Sequence, residues 1–269
     1  LIENRIISGL RLSGKINENT RIGLLNVLTD QDINNEIAQN NNTLLTFRNK
    51  VSKGSNFSFF FLNRESLKEY SFSSNKEKYN RVIGGEYNLA SGDGKWFGKV
   101  FLHKSFRPAK TDNNKSISSG FMITRNTKKN LIMFYSAYVG DNFRSDLGYY
   151  RRYGMYKFEP NYKFRIYPNN PKIHEIEFSH YAAWVFRTNL DNKYEGNIHY
   201  SQIQLKYLNT SRLSLQRRQT KTYLYNDFDP TRSSDSTPLP KNNFYDYVDY
   251  IFSYKSSSRN IFNIDSSIS

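Results

Sequence analysis

The stretch that decides the fold is GMYKFEPNYKFRIY at residues 154–167, in which apolar and charged side chains alternate. Successive side chains of a β-strand point to opposite faces, so this alternation predicts a strand with two different faces. One face carries mostly aromatic residues, namely Tyr156, Phe158, Pro160, Tyr162, Phe164 and Ile166. The other carries polar and charged residues, namely Lys157, Glu159, Asn161, Lys163 and Arg165. The run exceeds the roughly 5–6 residues of an average soluble strand and reaches the roughly 9–11 that a tilted strand needs to cross a bilayer.

The rest of the chain repeats such segments, with turn residues between them and no convincing helix. Strand-like runs cover residues 5–12, 21–29, 43–48, 56–63, 81–89, 96–103, 119–124, 131–139, 153–167, 173–187, 195–208, 212–225 and 245–254. The turn sequence SGDG at 91–94 joins two of these runs and indicates an antiparallel hairpin. Short turns alternate with longer loops, such as the proline-containing loop at 226–243, as is typical of outer-membrane barrels.

These features predict an all-β fold, an antiparallel up-and-down transmembrane β-barrel that forms a single domain over residues 1–269. A barrel in lipid has to close, because every backbone polar group there must pair within the sheet. The last segment, 256–269, begins another strand-like run and then stops without a closing aromatic residue. We therefore expect the chain to be an incomplete part of a larger barrel.

The composition agrees with strands that have one wet face. The 269 residues include 21 Tyr, 20 Phe and 2 Trp, yet only 37% are hydrophobic and the mean hydropathy is −0.74. No apolar run approaches the roughly 18 residues of a spanning helix, which excludes a helical membrane protein. The absence of cysteine excludes disulfides, thiolate metal sites and a cysteine nucleophile. The net charge of +15 favours anionic partners, but its even spread along the chain predicts no nucleic-acid binding.

Two carboxylates, Glu175 and Glu177, lie two residues apart on one strand face, a spacing that would suit a glycosidase pair. The same face carries Ser179, Tyr181 and Arg187, so a solvated lumen wall with ion pairs is the favoured interpretation. We therefore predict that the lumen-facing residues are Lys157, Glu159, Lys163, Arg165, Glu175 and Glu177. The predicted lipid-facing residues are Tyr156, Phe158, Tyr162, Phe164 and Ile166.

A second candidate is the stretch Tyr149, Tyr150, Arg151 and Arg152, where aromatic and basic side chains adjoin. Such residues stack on sugar rings or bases, although an aromatic girdle with arginines toward lipid phosphates is the more frequent arrangement in barrels. The four histidines, His103, His174, His180 and His199, lack the close spacing of a metal site, and no serine lies in a nucleophile motif. We therefore predict no metal, no cofactor and no catalytic residue.

Several motifs resemble a known family. They are ISGLRLSG at 7–14 with IGLLNVLT at 22–29, NRVIGG at 80–85, and VGDNF at 139–143 with DLGY at 146–149. GYYRR at 148–152 also fits a Gly-aromatic-x-x-Arg pattern, with Arg151 or Arg152 as its arginine. Together they resemble the poorly characterised outer-membrane β-barrel domains that follow a family-9-like carbohydrate-binding module in bacterial envelope proteins.

The resemblance implies a location in the bacterial outer membrane, with outer-membrane lipid and other envelope proteins as partners. It also implies carbohydrate binding through an amino-terminal module that this chain lacks, and it carries over no catalytic residue. The expected function is a non-enzymatic envelope platform or pore, or one subunit of a larger outer-membrane complex. The alternative is a soluble all-β carbohydrate-binding module or polysaccharide hydrolase, whose aromatic faces would pack against a second sheet.

Overall fold

A computed structural model describes residues 5–72, 78–108, 113–150, 152–188, 193–232, 237–257, 259 and 264–268. These residues form fourteen β-strands, and they contain no α-helix. The strands are β1 (Ile6–Lys15), β2 (Thr20–Thr29), β3 (Asn40–Lys50), β4 (Asn56–Ser66), β5 (Tyr79–Ala90), β6 (Trp96–Phe106), β7 (Ile117–Asn126), β8 (Asn130–Val139), β9 (Met155–Ile166), β10 (Ile173–Arg187), β11 (Lys193–Tyr207), β12 (Arg212–Leu224), β13 (Asn243–Lys255) and β14 (Asp265–Ile268). A 3₁₀ turn over Asn113–Ser116 precedes β7.

The strands pair in the order of the sequence, as a fourteen-stranded antiparallel up-and-down sheet. This confirms the predicted all-β, antiparallel, up-and-down arrangement, and every predicted strand-like run corresponds to a strand. In the part of the chain that the structure describes, the sheet is not closed into a barrel, and completion by strands from elsewhere stays a prediction. There β1 pairs only with β2, and β14 pairs only with the end of β13, so neither edge strand has a second partner.

Within the described residues, no helix has both the length and the apolar character that crossing a membrane requires.

The chain divides into two compact units. Unit 1 comprises Leu1–Ile123 and Ser136–Tyr156, and unit 2 comprises Thr124–Tyr135 and Lys157–Ser269. Within each unit, short turns alternate with longer connections. The short turns of unit 1 are 16–19, 51–55 and 91–95, and its longer connections are 30–39, 67–78 and 140–154. The short turns of unit 2 are 127–129, 167–172 and 208–211, and its longest connection is 225–242.

The hairpin turn between β5 and β6 illustrates how local sequence ends a strand. Gly94 has a φ of 67°, a left-handed conformation that glycine adopts without steric cost. The Asp93 carboxylate accepts hydrogen bonds from the Ser91 hydroxyl at 2.6 Å and from the Lys95 backbone N–H at 3.1 Å. These bonds, led by the one from Ser91, lower the pKa of Asp93 to about 2.

The two faces of the unit 2 sheet differ in polarity. Rows of paired residues across its strands are therefore alternately apolar and polar. Phe178, Ile203, Leu215 and Phe252 lie directly opposite one another across β10, β11, β12 and β13, and all four are exposed. We call this row the apolar row of unit 2. One position along, and therefore on the opposite face, the paired residues are Glu177, Gln204, Ser214 and Ser253. The apolar side chains thus lie on the exposed face and the polar ones on the less accessible face.

Unit 1 has the same inverted distribution. Its apolar face, which includes Leu12, Ile83 and Leu102, leaves these side chains 57%, 53% and 58% exposed. Its opposite face, which we call the polar face of unit 1, buries Asn80 and Ser105 to 3% exposure each. Soluble domains bury apolar side chains and expose polar ones, so both units show the reverse of the usual pattern.

Candidate functional site

A long connection folds onto the polar face of unit 1. It covers residues 140–154, between the end of β8 and the start of β9, and we call it the cover segment. Its Phe143 is fully buried and packs in one cluster with Val82 of β5 and Val139 of β8. Phe60, Leu62, Tyr150, Tyr153 and Met155 surround this cluster. The only sizeable hydrophobic cluster described for unit 1 therefore lies beneath this segment.

Hydrogen bonds from one asparagine fix the cover segment to β5. The Asn80 side-chain amide donates to the backbone carbonyl of Arg144 at 3.1 Å, and its oxygen accepts from the backbone N–H of Asp146 at 3.0 Å. The backbone N–H of Arg144 also donates to the Ser105 hydroxyl at 3.1 Å. Buried polar side chains thus pair with backbone groups that would otherwise lack partners.

An ion pair joins the same segment to β4. The Arg64 Nε lies 2.7 Å from a carboxylate oxygen of Asp146, and its Nη1 donates to the Asn40 side chain at 3.1 Å. Arg64 is largely buried whereas Asp146 is partly exposed, so salt still screens part of their attraction. The cover segment is therefore held by apolar packing, neutral hydrogen bonds and one charged contact.

Two glycines allow the close approach. A Cβ at Gly140 would lie 2.1 Å from the backbone carbonyl oxygen of Lys115, and one at Gly84 would lie 2.3 Å from the Phe60 ring. Neither distance is possible for a real side chain without movement of its neighbours. The glycines of VGDNF and NRVIGG are thus required by the packing between the chain segments.

A chain of polar contacts passes under the cover segment. The Tyr150 hydroxyl lies 2.9 Å from His103 Nδ1, and His103 Nε2 lies 3.3 Å from a Glu86 oxygen without hydrogen-bonding geometry. The same Glu86 oxygen lies 2.9 Å from Lys99 Nζ. Phe60 and Phe101 rings flank the His103 ring at 4.9 and 5.0 Å. These contacts connect Tyr150 of the cover segment, through His103 of β6, to Glu86 of β5.

The predicted ligand-contact stretch is divided by this packing. Tyr149 is 88% exposed, whereas Tyr150 points under the cover segment against Phe143 at 4.7 Å between ring centroids. Arg152 is exposed, and Arg151 lies outside the described residues. Tyr149 and Tyr150 therefore do not present a common surface.

Five of the six predicted lumen-facing residues of unit 2 form ion pairs. Glu177 is buried and accepts from Lys163 Nζ at 3.0 Å and from Arg165 Nε at 2.8 Å. Lys157 pairs with Glu159, which also accepts a hydrogen bond from the Tyr181 hydroxyl at 2.8 Å. Two cations held on one carboxylate leave Glu177 little freedom to act on a substrate.

Glu175 lies apart from these ion pairs, beside Tyr167 in the turn that follows β9. Burial, and then the neighbouring Glu175 carboxylate, raise the pKa of the Tyr167 hydroxyl. That hydroxyl also donates to the Lys128 backbone carbonyl at 3.0 Å. The structure therefore gives Glu175 and Glu177 different partners.

The predicted lipid-facing residues lie on the opposite face of β9. Tyr156, Tyr162 and Ile166 are exposed, whereas Phe158 and Phe164 are half-buried. Phe158 contacts Phe134 and Trp184, with ring centroids 4.6 and 5.8 Å away. The alternation along β9 is thus present in three dimensions, and the medium that each face contacts stays a prediction.

The histidines and acids form no metal centre in the described part of the chain, which contains no group of three or more His, Asp or Glu side chains placed to hold an ion. His180 and His199 are neighbours on unit 2, with ring centroids 5.8 Å apart, and His180 Nδ1 lies 2.9 Å from the Ser201 hydroxyl. Two imidazoles without a third ligand are consistent with packing on the sheet surface.

Sequence reasoning did not place the cover segment on the sheet. The motifs NRVIGG, VGDNF and DLGY were recognised only as separate runs, whereas the structure joins them through Asn80, Val82, Phe143 and Asp146. A usable signal was present, since a long connection that carries Phe143, Tyr149, Tyr150 and Tyr153 holds more aromatic side chains than a solvated loop needs.

No family model matches the sequence, and no match was found among curated proteins or among solved structures. The resemblance to the barrel domains of bacterial envelope proteins therefore stays a prediction.

Proposed function

We propose that the chain is part of a bacterial outer-membrane β-barrel, non-enzymatic in itself, that serves as an envelope platform or pore. The observation that carries the proposal is the exposure of the apolar face in both units. In unit 2 the apolar row runs unbroken over four neighbouring strands, with Phe178, Ile203, Leu215 and Phe252 all exposed. Soluble monomers rarely expose apolar patches of more than a few hundred Å².

Contact with lipid would remove the energetic cost of exposing these apolar side chains to water. Each large apolar side chain gains about 1.5–3 kcal/mol when it leaves water for an apolar medium. The opposite faces suit a wet lumen, because the ion pairs of Glu177 and the amide of Asn80 need polar surroundings or polar partners. The distribution of side chains therefore supports a sheet with lipid on one face and a polar interior on the other.

The strand lengths also support membrane crossing. β10 and β11 each hold 15 residues. A strand of that length extends roughly 50 Å, or about 35 Å along the membrane normal at a 45° tilt, against a hydrocarbon core of about 30 Å. Soluble sheets seldom need strands of this length.

Closure is part of the proposal. In lipid, an open sheet edge leaves backbone N–H and C=O groups unpaired at several kcal/mol each, so β1 and β14 need further partners. We propose that other strands complete the barrel, which makes the described sheet a part of a larger wall. Association with other envelope proteins would follow the same requirement.

The cover segment bears on the choice between a wide channel and a platform. If the polar face of unit 1 lines the lumen, residues 140–154 occupy lumen space beside β4, β5 and β6. A lumen narrowed in this way favours a platform or a narrow pore.

The alternative is a soluble carbohydrate-binding module or polysaccharide hydrolase. That class of protein would cover Tyr156, Tyr162 and Ile166 with a second sheet, as sandwiches do. All three are exposed, and the described strands belong to one sheet. These observations favour the barrel over the sandwich.

Cell fractionation tests the proposal. The gene product, expressed in a Gram-negative host, is expected in the outer-membrane fraction, with mobility on a detergent gel that changes on heating, because folded barrels resist detergent until heated. The control for incomplete fractionation is a soluble periplasmic protein of similar size that has no β-barrel. Recovery of the gene product as a soluble monomer without detergent would refute the proposal.

A further inference from the structure

A row of like charges crosses the first three strands of unit 1. Lys15 of β1 lies directly opposite Arg21 of β2, and Arg21 lies directly opposite Arg48 of β3. Like charges in directly opposed positions destabilise a sheet. The cost is lower when an anion lies between them.

Two more cations join this row at one end. Lys50 follows on β3 and Lys53 lies in the turn before β4, and all five basic side chains line one pocket of about 280 Å³. Glu18, Asn19, Gly54 and Asn56 complete its wall. We call it the basic pocket.

Three cations elsewhere on the polar faces differ from those of the basic pocket. Lys99, Lys163 and Arg165 each have a carboxylate partner within 3.0 Å. Among the described residues, none of the five pocket cations has a carboxylate oxygen within 4.0 Å. The pocket thus brings five positive charges together with one carboxylate, Glu18, which leaves an excess of positive charge.

Hydrogen bonds within the protein fix the position of Arg48 in the basic pocket. Arg48 Nε donates to the Asn56 side-chain oxygen at 3.0 Å, and that buried oxygen also accepts from Ser58 and Asn88 at 3.2 Å. Asn56 therefore orients the guanidinium through Nε, and the bond leaves the two terminal nitrogens of Arg48 free to bind a ligand.

The adjoining turn is also fixed. The Asn17 side chain accepts hydrogen bonds from the backbone N–H groups of Asn19 and Thr20, each at 2.9 Å. The Lys50 backbone N–H donates to the Asn19 carbonyl at 2.8 Å. The two turns that border the pocket are therefore connected, which reduces the entropy that a ligand would have to remove.

We propose that the basic pocket binds an anion that bears phosphate groups. Guanidinium groups bind phosphate oxygens through paired N–H donors, and the neighbouring ammonium groups supply further charge. A phosphate would also relieve the repulsion along the row of Lys15, Arg21 and Arg48. This site goes beyond the barrel proposal, since its chemistry is the same whether or not the apolar face contacts lipid.

Calorimetric titration of the folded full chain in a zwitterionic detergent, with inorganic pyrophosphate as the probe, tests the site. Arg21→Gln is expected to weaken binding about tenfold, as loss of one charge-assisted contact does, and higher ionic strength should weaken binding further. Arg11→Gln is the matched control, because Arg11 lies on the same face of β1, opposite Leu25, and outside the pocket.

Thermal unfolding provides the second measurement. Without pyrophosphate, Arg21→Gln should be at least as stable as the parent, because it removes a like-charged neighbour. With pyrophosphate, the parent and Arg11→Gln should gain stability and Arg21→Gln should gain little. No binding to the parent, or equal weakening by Arg11→Gln, would overturn the proposal.

Competition distinguishes a free phosphate from a lipid headgroup. Vesicles that contain phosphatidic acid are compared with vesicles of phosphatidylcholine, whose phosphate is masked by choline. Displacement of pyrophosphate only by phosphatidic acid vesicles would identify a headgroup phosphate as an accessible ligand. Binding of pyrophosphate without vesicle competition would identify a soluble anion. Failure of the site would leave the fractionation result unchanged, so the two proposals fail separately.

Discussion

The polar faces of the two units satisfy their charges by different means. On unit 2, Glu177 meets Lys163 and Arg165 from the neighbouring strand, so the partners lie within one hairpin. On unit 1, Asn80 meets Arg144 and Asp146 across 64 and 66 residues of sequence. The first arrangement follows from strand alternation and register. The second depends on a long connection returning to the sheet, and it makes unit 1 the more vulnerable to single substitutions.

The largest expected effect comes from removing the anchor of the cover segment. Phe143→Ala should destabilise the protein by about 3–5 kcal/mol, because a fully buried ring is replaced by a cavity. Denaturant-induced unfolding measures the change. Leu147→Ala, an exposed position in the same segment, should change stability by less than about 0.5 kcal/mol. Equal effects of the two substitutions would show that the segment is not anchored as described.

The next effect concerns the ion pairs of unit 2. Glu177→Gln should cost about 2–3 kcal/mol, because it leaves Lys163 and Arg165 without their carboxylate in a largely buried position. The matched control is Glu69→Gln, which breaks an exposed pair with Lys78 and should cost at most about 1 kcal/mol. Equilibrium unfolding compares them. A smaller loss for Glu177→Gln than for Glu69→Gln would contradict this account of unit 2.

A smaller effect should follow from loosening the cover segment without creating a large cavity. Asn80→Ala removes two hydrogen bonds and should cost about 1–3 kcal/mol. Its distinguishing consequence is local, since amide hydrogen exchange should increase in residues 140–154 more than in β10. Asn88→Ala, which removes one hydrogen bond to Asn56, is the control. An increase of exchange that is uniform over the chain would argue against a separately held segment.

The smallest effect is confined to one turn. The pKa of Asp93 is lowered on folding, so its contribution to stability is present above the unfolded pKa of about 3.9 and is lost as the pH falls toward 2. The protection of the amides in the turn at 91–95, measured relative to their intrinsic exchange rate at each pH, should therefore decrease between pH 5 and pH 2. In Asp93→Asn that pH dependence should disappear. A pH dependence that persists in the variant would assign it to another group.

Strand positions were predictable because the sequence of each strand and of its adjoining turn indicates the strand locally. The alternation at 154–167 gave β9, and SGDG at 91–94 gave the β5–β6 hairpin, since both depend only on neighbouring residues. The ion pair of Lys163 with Glu177 also follows once β9 and β10 are recognised as adjacent strands. These are local consequences of period-2 geometry and short turns.

The cover segment and the basic pocket were not predictable in the same way. The contact of Asn80 with Asp146 depends on the path of a long connection, which no periodicity encodes. The row of Lys15, Arg21 and Arg48 depends on the register of three strands, and a shift of one residue would place Arg21 on the other face. Charges that are evenly spread along the sequence are therefore concentrated at one place by pairing.

The central claim is that the apolar row of unit 2 contacts lipid while the adjacent register position faces a wet interior. The chain has no cysteine, so Leu215→Cys and Ser214→Cys each introduce a single labelling site on opposite faces of β12. An environment-sensitive fluorophore on each variant, in bilayers, is measured with a lipid-attached quencher and with a water-soluble quencher. We expect the lipid-attached quencher to act on the label at position 215 and not on that at 214. Quenching of both labels from water alone would contradict the claim.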